Sequence, residues 1–446
     1  MTQGAPWRHI LCFALPVLCG SLLQQLYHTA DTLIVGNFLG ENALAAVGTT
    51  NTFAFLFLAV AIGFSAGNGV LVAQHFGAED ENMVRKDAAT GILLLLSMGA
   101  VFSVAGAVLS RPVYTHLIAV PQLILDDTVK YFQIYSAGLV FQFGFNIFAS
   151  VLRAVGDSAA TLYFLLLSSL LNIALDLFFI AVCHSGVAGA AWATVISQAV
   201  SMAAVWWYMA YKYRFFRYRI RDLKWDKHIA VETLVIGLPI ALQLVIVAVG
   251  LSFIQRAVNG FGKVMTASFT VGQRIEMYLH LPCNALQATL ATYTGQNVGA
   301  GKMERVRAGA YQGVLISVVF TALLAVTVWF AANWISEIFG LSEVAEEYCS
   351  AHLKAVAFIT VILSVYVPLF GVFQGTKHCV VPALVALGAL TLRVIVTYAF
   401  KDSAFFGRSI IWWNGLFGFC TGCIITWSCY LSGRWQKNPL GSRNGE

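Results

Sequence analysis

Long apolar runs set the strongest limit on how this chain can fold. Twelve predominantly apolar stretches of roughly 20 residues follow one another along the 446 residues. A run of this length crosses a bilayer as one helix, which satisfies its own backbone hydrogen bonds. The runs lack the alternation of polar and apolar residues seen in barrel strands. The sequence therefore predicts an all-α polytopic membrane protein of twelve transmembrane helices. The predicted spans lie near 10–35, 50–75, 89–110, 128–152, 159–183, 187–211, 231–256, 265–292, 308–332, 350–374, 380–400 and 409–432.

The composition agrees with a membrane protein. Hydrophobic residues make up 59% of the chain and charged residues 11%, whereas about a quarter of a soluble domain is charged. No hydrophilic stretch is long enough for a separate soluble domain. The first apolar run is too long for a cleaved signal peptide and carries Asp31. We expect it to be retained as a signal anchor.

The basic residues are distributed unevenly between the two sides of this span map. Eighteen of the 27 Lys and Arg residues fall on one side and seven on the other. The positive-inside rule then places both termini in the cytoplasm of a cell inner (plasma) membrane. A basic run between 212 and 227 lies at the midpoint of the chain. A nucleic-acid patch is conceivable there, but a linker contacting anionic lipid headgroups is the favoured interpretation.

The sequence repeats weakly on either side of this linker. Leu15-Pro16 recurs as Leu238-Pro239, and Gln74-His75-Phe76-Gly77-Ala78 recurs as Gln296-Asn297-Val298-Gly299-Ala300. We infer an N-terminal six-helix lobe (1–211), a cytoplasmic basic linker (212–230) and a C-terminal six-helix lobe (231–446). With six spans in each half, the repeats are parallel, as in transporters built of two pseudosymmetric bundles around a central cavity. Pro16 and Pro239 would permit bending of corresponding helices.

Three carboxylates lie well inside the spans: Asp31, Asp176 and Glu276. At 1.5 Å per residue, Asp31 lies about 8 Å and Asp176 about 12 Å from the same end of their helices. Asn172 is one turn from Asp176, and Thr194 reaches a similar depth in the next span. These four side chains can converge in the first lobe. Intramembrane carboxylates are rare and mark functional sites, although Asp31 and Asp176 can also simply hydrogen-bond neighbouring helices.

The chemistry of this group suits a sodium ion or a proton. Carboxylate, amide and hydroxyl oxygens are hard ligands suited to sodium. Two neighbouring carboxylates in a low dielectric cannot both easily stay ionised, so one of them can exchange a proton. We therefore predict a cation or proton site of Asp31, Asn172, Asp176 and Thr194. Beyond a possible sodium ion there, we expect no metal.

A substrate cavity is predicted from further polar and aromatic residues. Gln24 and Tyr27 share a helical face with Asp31, and aromatic rings can stack on flat organic cations. Glu276 stands two residues after Arg274, which therefore faces elsewhere. Arg393 of another span could neutralise Glu276, so a structural ion pair and a cavity carboxylate both remain open.

Several motifs follow one another over nearly the whole chain. They include the runs 31–36 and 43–48, Leu152-Arg153-Ala154-Val155-Gly156-Asp157, Leu171-Asn172-Ile173-Ala174-Leu175-Asp176, the run 186–194 and Gly295-Gln296-Asn297-Val298-Gly299-Ala300-Gly301. In this order they resemble the multidrug and toxic compound extrusion (MATE) family of prokaryotic type. The resemblance implies two pseudosymmetric lobes that export drugs or metabolites in exchange for sodium ions or protons.

The same resemblance assigns individual residues. A first-helix Asp, a fifth-helix Asn-x-x-x-Asp and a sixth-helix Thr form the cation site of prokaryotic members, and Asp31, Asn172, Asp176 and Thr194 match them. Tyr27 matches an aromatic residue one turn before the first Asp. Asn146 is the candidate for a fourth-helix Asn that takes part in some members. A second site of carboxylates on the seventh and tenth helices, present in some members, has no match here; those helices carry Gln243, Gln255 and His352 instead.

We therefore expect a secondary active antiporter that exports drugs or lipophilic or cationic metabolites in exchange for sodium ions or protons. Its substrate would be a small organic cation or an amphipathic drug, and it would contact membrane lipid. We expect it to bind no nucleic acid and no cofactor, and to be a monomer. The alternative is a flippase of lipid-linked saccharide precursors, although that function favours a cationic cavity. A membrane enzyme would need a nucleophile or metal cluster, and the sequence contains no Walker, HExxH or GxSxG motif.

Overall fold

Long helices make up the fold of this computed structural model, which describes residues 1–218 and 223–436. No strand occurs in that part of the chain. The helices are α1 (Pro6–Leu39), α2 (Glu41–Gly77), α3 (Glu81–Pro112), α4 (Gln122–Ala137), α5 (Leu139–Ala154), α6 (Ser158–Asp176), α7 (Gly186–Lys212), α8 (Lys227–Asn259), α9 (Lys263–Gly299), α10 (Met303–Ile338), α11 (Glu343–Gly375), α12 (Val380–Phe400) and α13 (Ile410–Leu431). The predicted all-α class is confirmed.

The helices account for all twelve predicted spans. Ten are long and apolar enough to cross a membrane among the described residues, and α4 with α5 makes an eleventh bent span. The twelfth, α9, has 37 residues but is less apolar because it carries charged residues such as Arg274 and Glu276. Large apolar side chains such as Val104, Val108 and Phe330 are exposed, as expected for lipid-facing surfaces.

The fourth span is not the continuous helix that the sequence predicts. It bends by 45° between α4 and α5. The break falls at Gly138, where an added Cβ would lie 2.5 Å from Val195 Cγ2 of α7. The bend therefore allows α7 to approach the backbone at a point where only glycine fits.

The chain divides into two compact units. One, called here the N-terminal unit, is Cys19–Ala241; the other, the C-terminal unit, is Met1–Leu18 with Leu242–Glu446. The boundaries fall inside α1, just after Pro16, and inside α8, just after Pro239. Each of these two helices therefore contributes residues to both units.

Close helix contacts hold the N-terminal unit together. A Cβ at Gly63 would lie 2.5 Å from Ala241 Cβ, and a Cβ at Gly67 would lie 2.7 Å from the backbone of Gly237. The glycines of α2 thus let its backbone touch the first part of α8. The apolar core of this unit also contains large buried side chains such as Phe143.

Hydrogen bonds to Asp157 connect the last turn of α7 to the start of α6. Asp157 caps α6 by accepting from the Ala160 N–H over 3.2 Å. Its Oδ2 also accepts from Lys212 Nζ over 2.7 Å and from the hydroxyls of Tyr208 and Tyr213 over 3.0 and 3.2 Å. Burial alone would raise the pKa of Asp157, but the hydrogen bonds from Lys212, Tyr208 and Ala160 hold it below its usual value.

Part of the predicted linker lies outside the described residues. These linker residues are 219–222, with Arg219 and Arg221. The basic residues Lys437 and Arg443, outside the linker, also lie outside the described residues. The described part of the linker begins with a short 3₁₀ turn, Arg214–Phe216, whose Phe216 is fully buried.

Candidate cation-binding site

Two intramembrane carboxyl groups meet inside the N-terminal unit. The side chains of Asp31 of α1 and Asp176 of α6 lie close enough to interact directly. Asp176 is fully buried and Asp31 is partly buried. Asp176 is also the last α-helical residue of α6, which continues as a π-helical turn, Leu177–Val182. Such widened turns recur at functional sites because they shift side chains out of the regular helical register.

Asn172 and Thr194 connect this pair to α7. With its amide oriented to satisfy both neighbours, Asn172 donates to Asp176 Oδ2 over 2.9 Å and accepts from the Thr194 N–H over 3.3 Å. The carboxamide also lies 3.4 Å from the Thr194 hydroxyl, which donates to the Ala190 carbonyl. Asn172 is 1% exposed and Thr194 is 9% exposed. The structure thus brings the four predicted residues together.

Tyrosine rings surround the carboxyl pair. Tyr27 of α1 lies beside Thr194, and Tyr131 of α4 lies close enough to interact electrostatically with Asp31 and Tyr27. Tyr131 stacks on Tyr135 with ring centroids 6.3 Å apart and planes inclined by 7°. Sequence reasoning placed Tyr27 beside Asp31 but missed Tyr131 and Tyr135. Their i, i+4 spacing on one face of α4 was the available signal.

A small cavity opens beside Thr194. It is lined by Tyr135, Gln142 and Gln198 among others, and the Tyr135 hydroxyl donates to Gln142 Oε1 over 3.2 Å. The rest of its lining includes Gly138, Leu139 and Val195, so most of the cavity surface is apolar.

The other predicted residues lie elsewhere. Gln24 is partly buried on α1, and no hydrogen bond from it to the carboxyl pair occurs in the described part of the chain. Asn146 of α5 donates to the Gln142 carbonyl over 2.8 Å. Glu276 belongs to the C-terminal unit, where its Oε1 lies 3.7 Å from Nε2 of His280, one turn along α9.

The geometry of the carboxyl pair limits its chemistry. Two carboxyl groups can hydrogen-bond only when one of them holds a proton, because ionised carboxylates have no donor. We therefore expect Asp31 and Asp176, whose side chains interact directly, to share one proton and to carry one negative charge. Losing that proton would leave two adjacent charges in a buried site, which only another cation could neutralise.

Comparison with known proteins identifies the family. A family model described as MatE matches two segments of the chain, residues 16–178 and 239–399. This chain belongs to the MATE family. The same model matches once in each half of this MATE protein, on either side of the predicted basic linker. The second match begins at Pro239, just as the first begins at Pro16.

The MATE relatives extend over the full chain. The probable multidrug resistance protein YpnP of Bacillus subtilis (strain 168) is 28% identical over 98% of both chains. The probable multidrug resistance protein NorM of Thermotoga maritima is 24% identical and covers 98% of this chain and 94% of its own. A crystal structure described as MATE in complex with MaL6 has a TM-score of 0.91 at 23% identity, covering 98% of both chains.

Family membership settles the broad class of activity. MATE proteins are multi-pass membrane transporters of the multidrug efflux type and not enzymes. The membrane-enzyme alternative is therefore wrong, and the predicted twelve-helix MATE fold is confirmed.

Proposed function

We propose that this transporter is an antiporter that exports organic cations or amphipathic drugs across the plasma membrane in exchange for protons entering through Asp31 and Asp176. The observation that carries the proposal is the direct interaction of these two carboxyl groups within a shell of Asn172, Thr194 and Tyr27. Apart from the protein itself, the only participants are the drug, the coupling ion and the surrounding lipid.

A proton fits the site better than a sodium ion. A sodium ion needs several oxygens spread around it, whereas here the two carboxyl groups interact directly with each other. The Asn172 amide also lies 2.9 Å from Asp176 Oδ2, which leaves no room for an ion between these two atoms. These contacts support a proton as the coupling ion.

Coupling requires that the proton and the drug prefer different conformations. Helix α1 can provide this coupling, because it contains both Asp31 and Pro16. Pro16 is close in sequence to the point where α1 passes from one compact unit to the other. Pro16 lacks a backbone N–H, so α1 can bend there at low cost. Protonation of the pair changes the charge on α1 and, in this proposal, changes its bend and weakens drug binding.

The charge of the site also favours cationic substrates. When the pair loses its shared proton, it gains a negative charge that attracts an organic cation. Rings such as Tyr27 and Tyr131 offer faces for flat cations. Proton and drug would then compete for one negative region, which is the simplest form of exchange.

Everted membrane vesicles test the proposal. Uptake of a fluorescent organic cation is measured with an acid interior, and separately with a sodium-rich interior at equal pH. We expect the pH gradient alone to drive uptake, and Asp31→Asn or Asp176→Asn to abolish it. The control is Asp127→Asn, an exposed carboxylate in the first turns of α4. Normal uptake by the Asp31→Asn protein, or uptake driven only by sodium, would overturn the assignment.

A further inference from the structure

One exposed face of α7 carries apolar side chains along the length of the helix. Trp192, Val200, Trp207 and Tyr211 are all exposed on it. Their spacing follows the helical repeat, so they form one stripe, and α7 contains no charged residue before Lys212. A stripe of this kind is expected to face lipid.

The length of this stripe matches the apolar thickness of a bilayer. Trp192 and Tyr211 are 19 residues apart, which is about 28 Å along a helix that rises 1.5 Å per residue. The hydrocarbon core of a bilayer is about 30 Å thick, and Trp and Tyr are enriched at its two interfaces. The stripe therefore places Trp192 at one interface and Tyr211 at the other.

Trp207 and Tyr211 form a stacked pair at the second interface. Their ring centroids lie 5.7 Å apart with planes inclined by 16°, and the two residues are 68% and 70% exposed. The last helix of the C-terminal unit ends differently, because Trp435 stacks on Tyr430 after α13 and both are buried. The open pair at the end of α7 thus offers its rings to something outside the unit.

Arg214 follows the aromatic pair directly and carries an available positive charge. It belongs to the short 3₁₀ turn Arg214–Phe216, whose fully buried Phe216 fixes the turn against the unit. Arg214 itself is exposed and has no hydrogen bond or ion pair within the described residues. Three residues beyond Tyr211, its guanidinium can reach the level of the lipid headgroups.

Two other basic side chains near this turn are engaged with the protein. Lys212 Nζ donates to Asp157 Oδ2 over 2.7 Å. Arg217 Nε donates to the Ala210 carbonyl over 3.0 Å, at the carboxyl end of α7. Arg214 is therefore the cation of the described turn that remains available for a ligand.

Further available cations lie just before α8, which starts at the end of the unit where α7 finishes. Lys224, Trp225 and Lys227 are exposed, and neither lysine has a hydrogen bond or ion pair in the part of the chain that the structure describes. Asp226 lies between them, but its Oδ1 accepts from the His228 N–H over 2.9 Å at the start of α8. The sequence from 212 to 227 contains seven basic and two acidic residues, so the surface is strongly positive.

We propose that Arg214, Lys224 and Lys227 bind the phosphate groups of anionic phospholipids in the adjoining leaflet, while the rings of Trp207 and Tyr211 contact the glycerol and upper acyl region. The cations select an anionic lipid, because a zwitterionic headgroup carries an ammonium that they repel. A nucleic acid would meet the same positive charge, but it has no acyl chain to continue along the lipid-facing stripe. The surface therefore fits a lipid better.

Tryptophan quenching by brominated lipid measures contact at a chosen ring. The full-length protein is placed in nanodiscs of equal parts phosphatidylglycerol and phosphatidylcholine, with the acyl chains of only one lipid brominated. The signal of Trp207→Phe is subtracted from that of the wild type. One Lys or Arg near an anionic surface changes lipid partitioning about fivefold. We expect phosphatidylglycerol to be enriched at Trp207 about fivefold or more at low salt, and less as salt is raised.

The chain offers matched controls. Arg214→Gln/Lys224→Gln should lower the enrichment at least about fivefold while brominated phosphatidylcholine still quenches Trp207, which shows that the ring still faces lipid. Lys130→Gln/Lys263→Gln removes two exposed cations from the predicted opposite side and should leave the enrichment unchanged. Trp192, measured against Trp192→Phe, should show no preference between the two lipids.

The assay involves no transport, so its outcome is independent of the proposed exchange at Asp31. Equal quenching of Trp207 by the two lipids, or an equal preference at Trp192, would overturn the lipid site. An enrichment that persists in Arg214→Gln/Lys224→Gln would do so as well. Loss of the phosphatidylglycerol quenching when a DNA duplex is added, at a phosphate concentration equal to that of the lipid, would assign the surface to nucleic acid instead.

Discussion

The side chains of Asp31 on α1 and Asp176 on α6 interact directly within the N-terminal unit. Two buried carboxyl groups this close are expected to share a proton, so the pair changes charge when that proton leaves. In the proposed mechanism, this relationship links the position of α1 to the occupancy of a proton site. The predictions below test the contacts that support it.

Asn172→Ala should impair transport far more than Asn146→Ala. Asn172 gives Asp176 a hydrogen bond of 2.9 Å, whereas Asn146 bonds the Gln142 carbonyl on its own helix. A hydrogen bond to a charged group contributes about 1.5–3 kcal/mol, so its loss should slow proton-driven uptake roughly tenfold or more. Initial rates in everted vesicles, at equal protein content, measure the difference. Equal rates for the two variants would remove Asn172 from the site.

Gly67→Ala should destabilise the protein while Gly48→Ala does not. Both residues lie on α2, but a Cβ at Gly67 would lie 2.7 Å from backbone atoms of Gly237 and Thr233, and a Cβ at Gly48 meets nothing within 4 Å. Overpacking costs about 1–3 kcal/mol. In Gly48→Ala the helix propensity of alanine gives a gain of up to about 1 kcal/mol. Thermal unfolding in detergent should show a lower midpoint only for Gly67→Ala.

Asp157→Asn should lower stability at neutral pH and have little effect in acid. The pKa of Asp157 is depressed in the folded protein, so its contribution is present above the unfolded pKa and disappears as the pH falls through the folded pKa. Asn can still cap α6, but loss of the charge weakens the bond to Lys212, for about 1–3 kcal/mol. Unfolding midpoints at pH 7 and near pH 3 provide the comparison. A deficit that is as large in acid as at neutral pH would contradict this account of Asp157.

The sequence was sufficient for the span map and for the four side chains that the structure brings together in the N-terminal unit. The length of an apolar run predicts the length of the membrane-spanning helix. Burying a carboxylate such as Asp31 in a membrane costs free energy, so its presence in a span indicates a functional site. Depth along a helix follows from its rise per residue, so Asp31, Asp176 and Thr194 could be placed at similar levels. The meeting of their side chains follows from helix packing, which the structure provides.

Other features depend on packing that a single sequence does not encode locally. The bend at Gly138 serves the contact with Val195, a residue of another helix. The π-helical turn after Asp176 has no sequence marker of its own. Nothing in the sequence distinguishes Tyr131 from the other aromatic residues, and its position beside Asp31 is evident only in the structure. In the C-terminal unit, the nearest partner of Glu276 is His280 at i+4 rather than Arg274 or Arg393, a spacing that was visible in the sequence.

Proton release on substrate binding tests the exchange mechanism most directly. Purified protein in a weakly buffered detergent solution is mixed with an organic cation, and a pH indicator counts the protons released per bound substrate. Because competing ligands displace each other reciprocally, we expect about one proton from the wild type and none from the Asp31→Asn/Asp176→Asn protein. Equal release from both proteins, or substrate binding to the wild type without any release, would contradict the account.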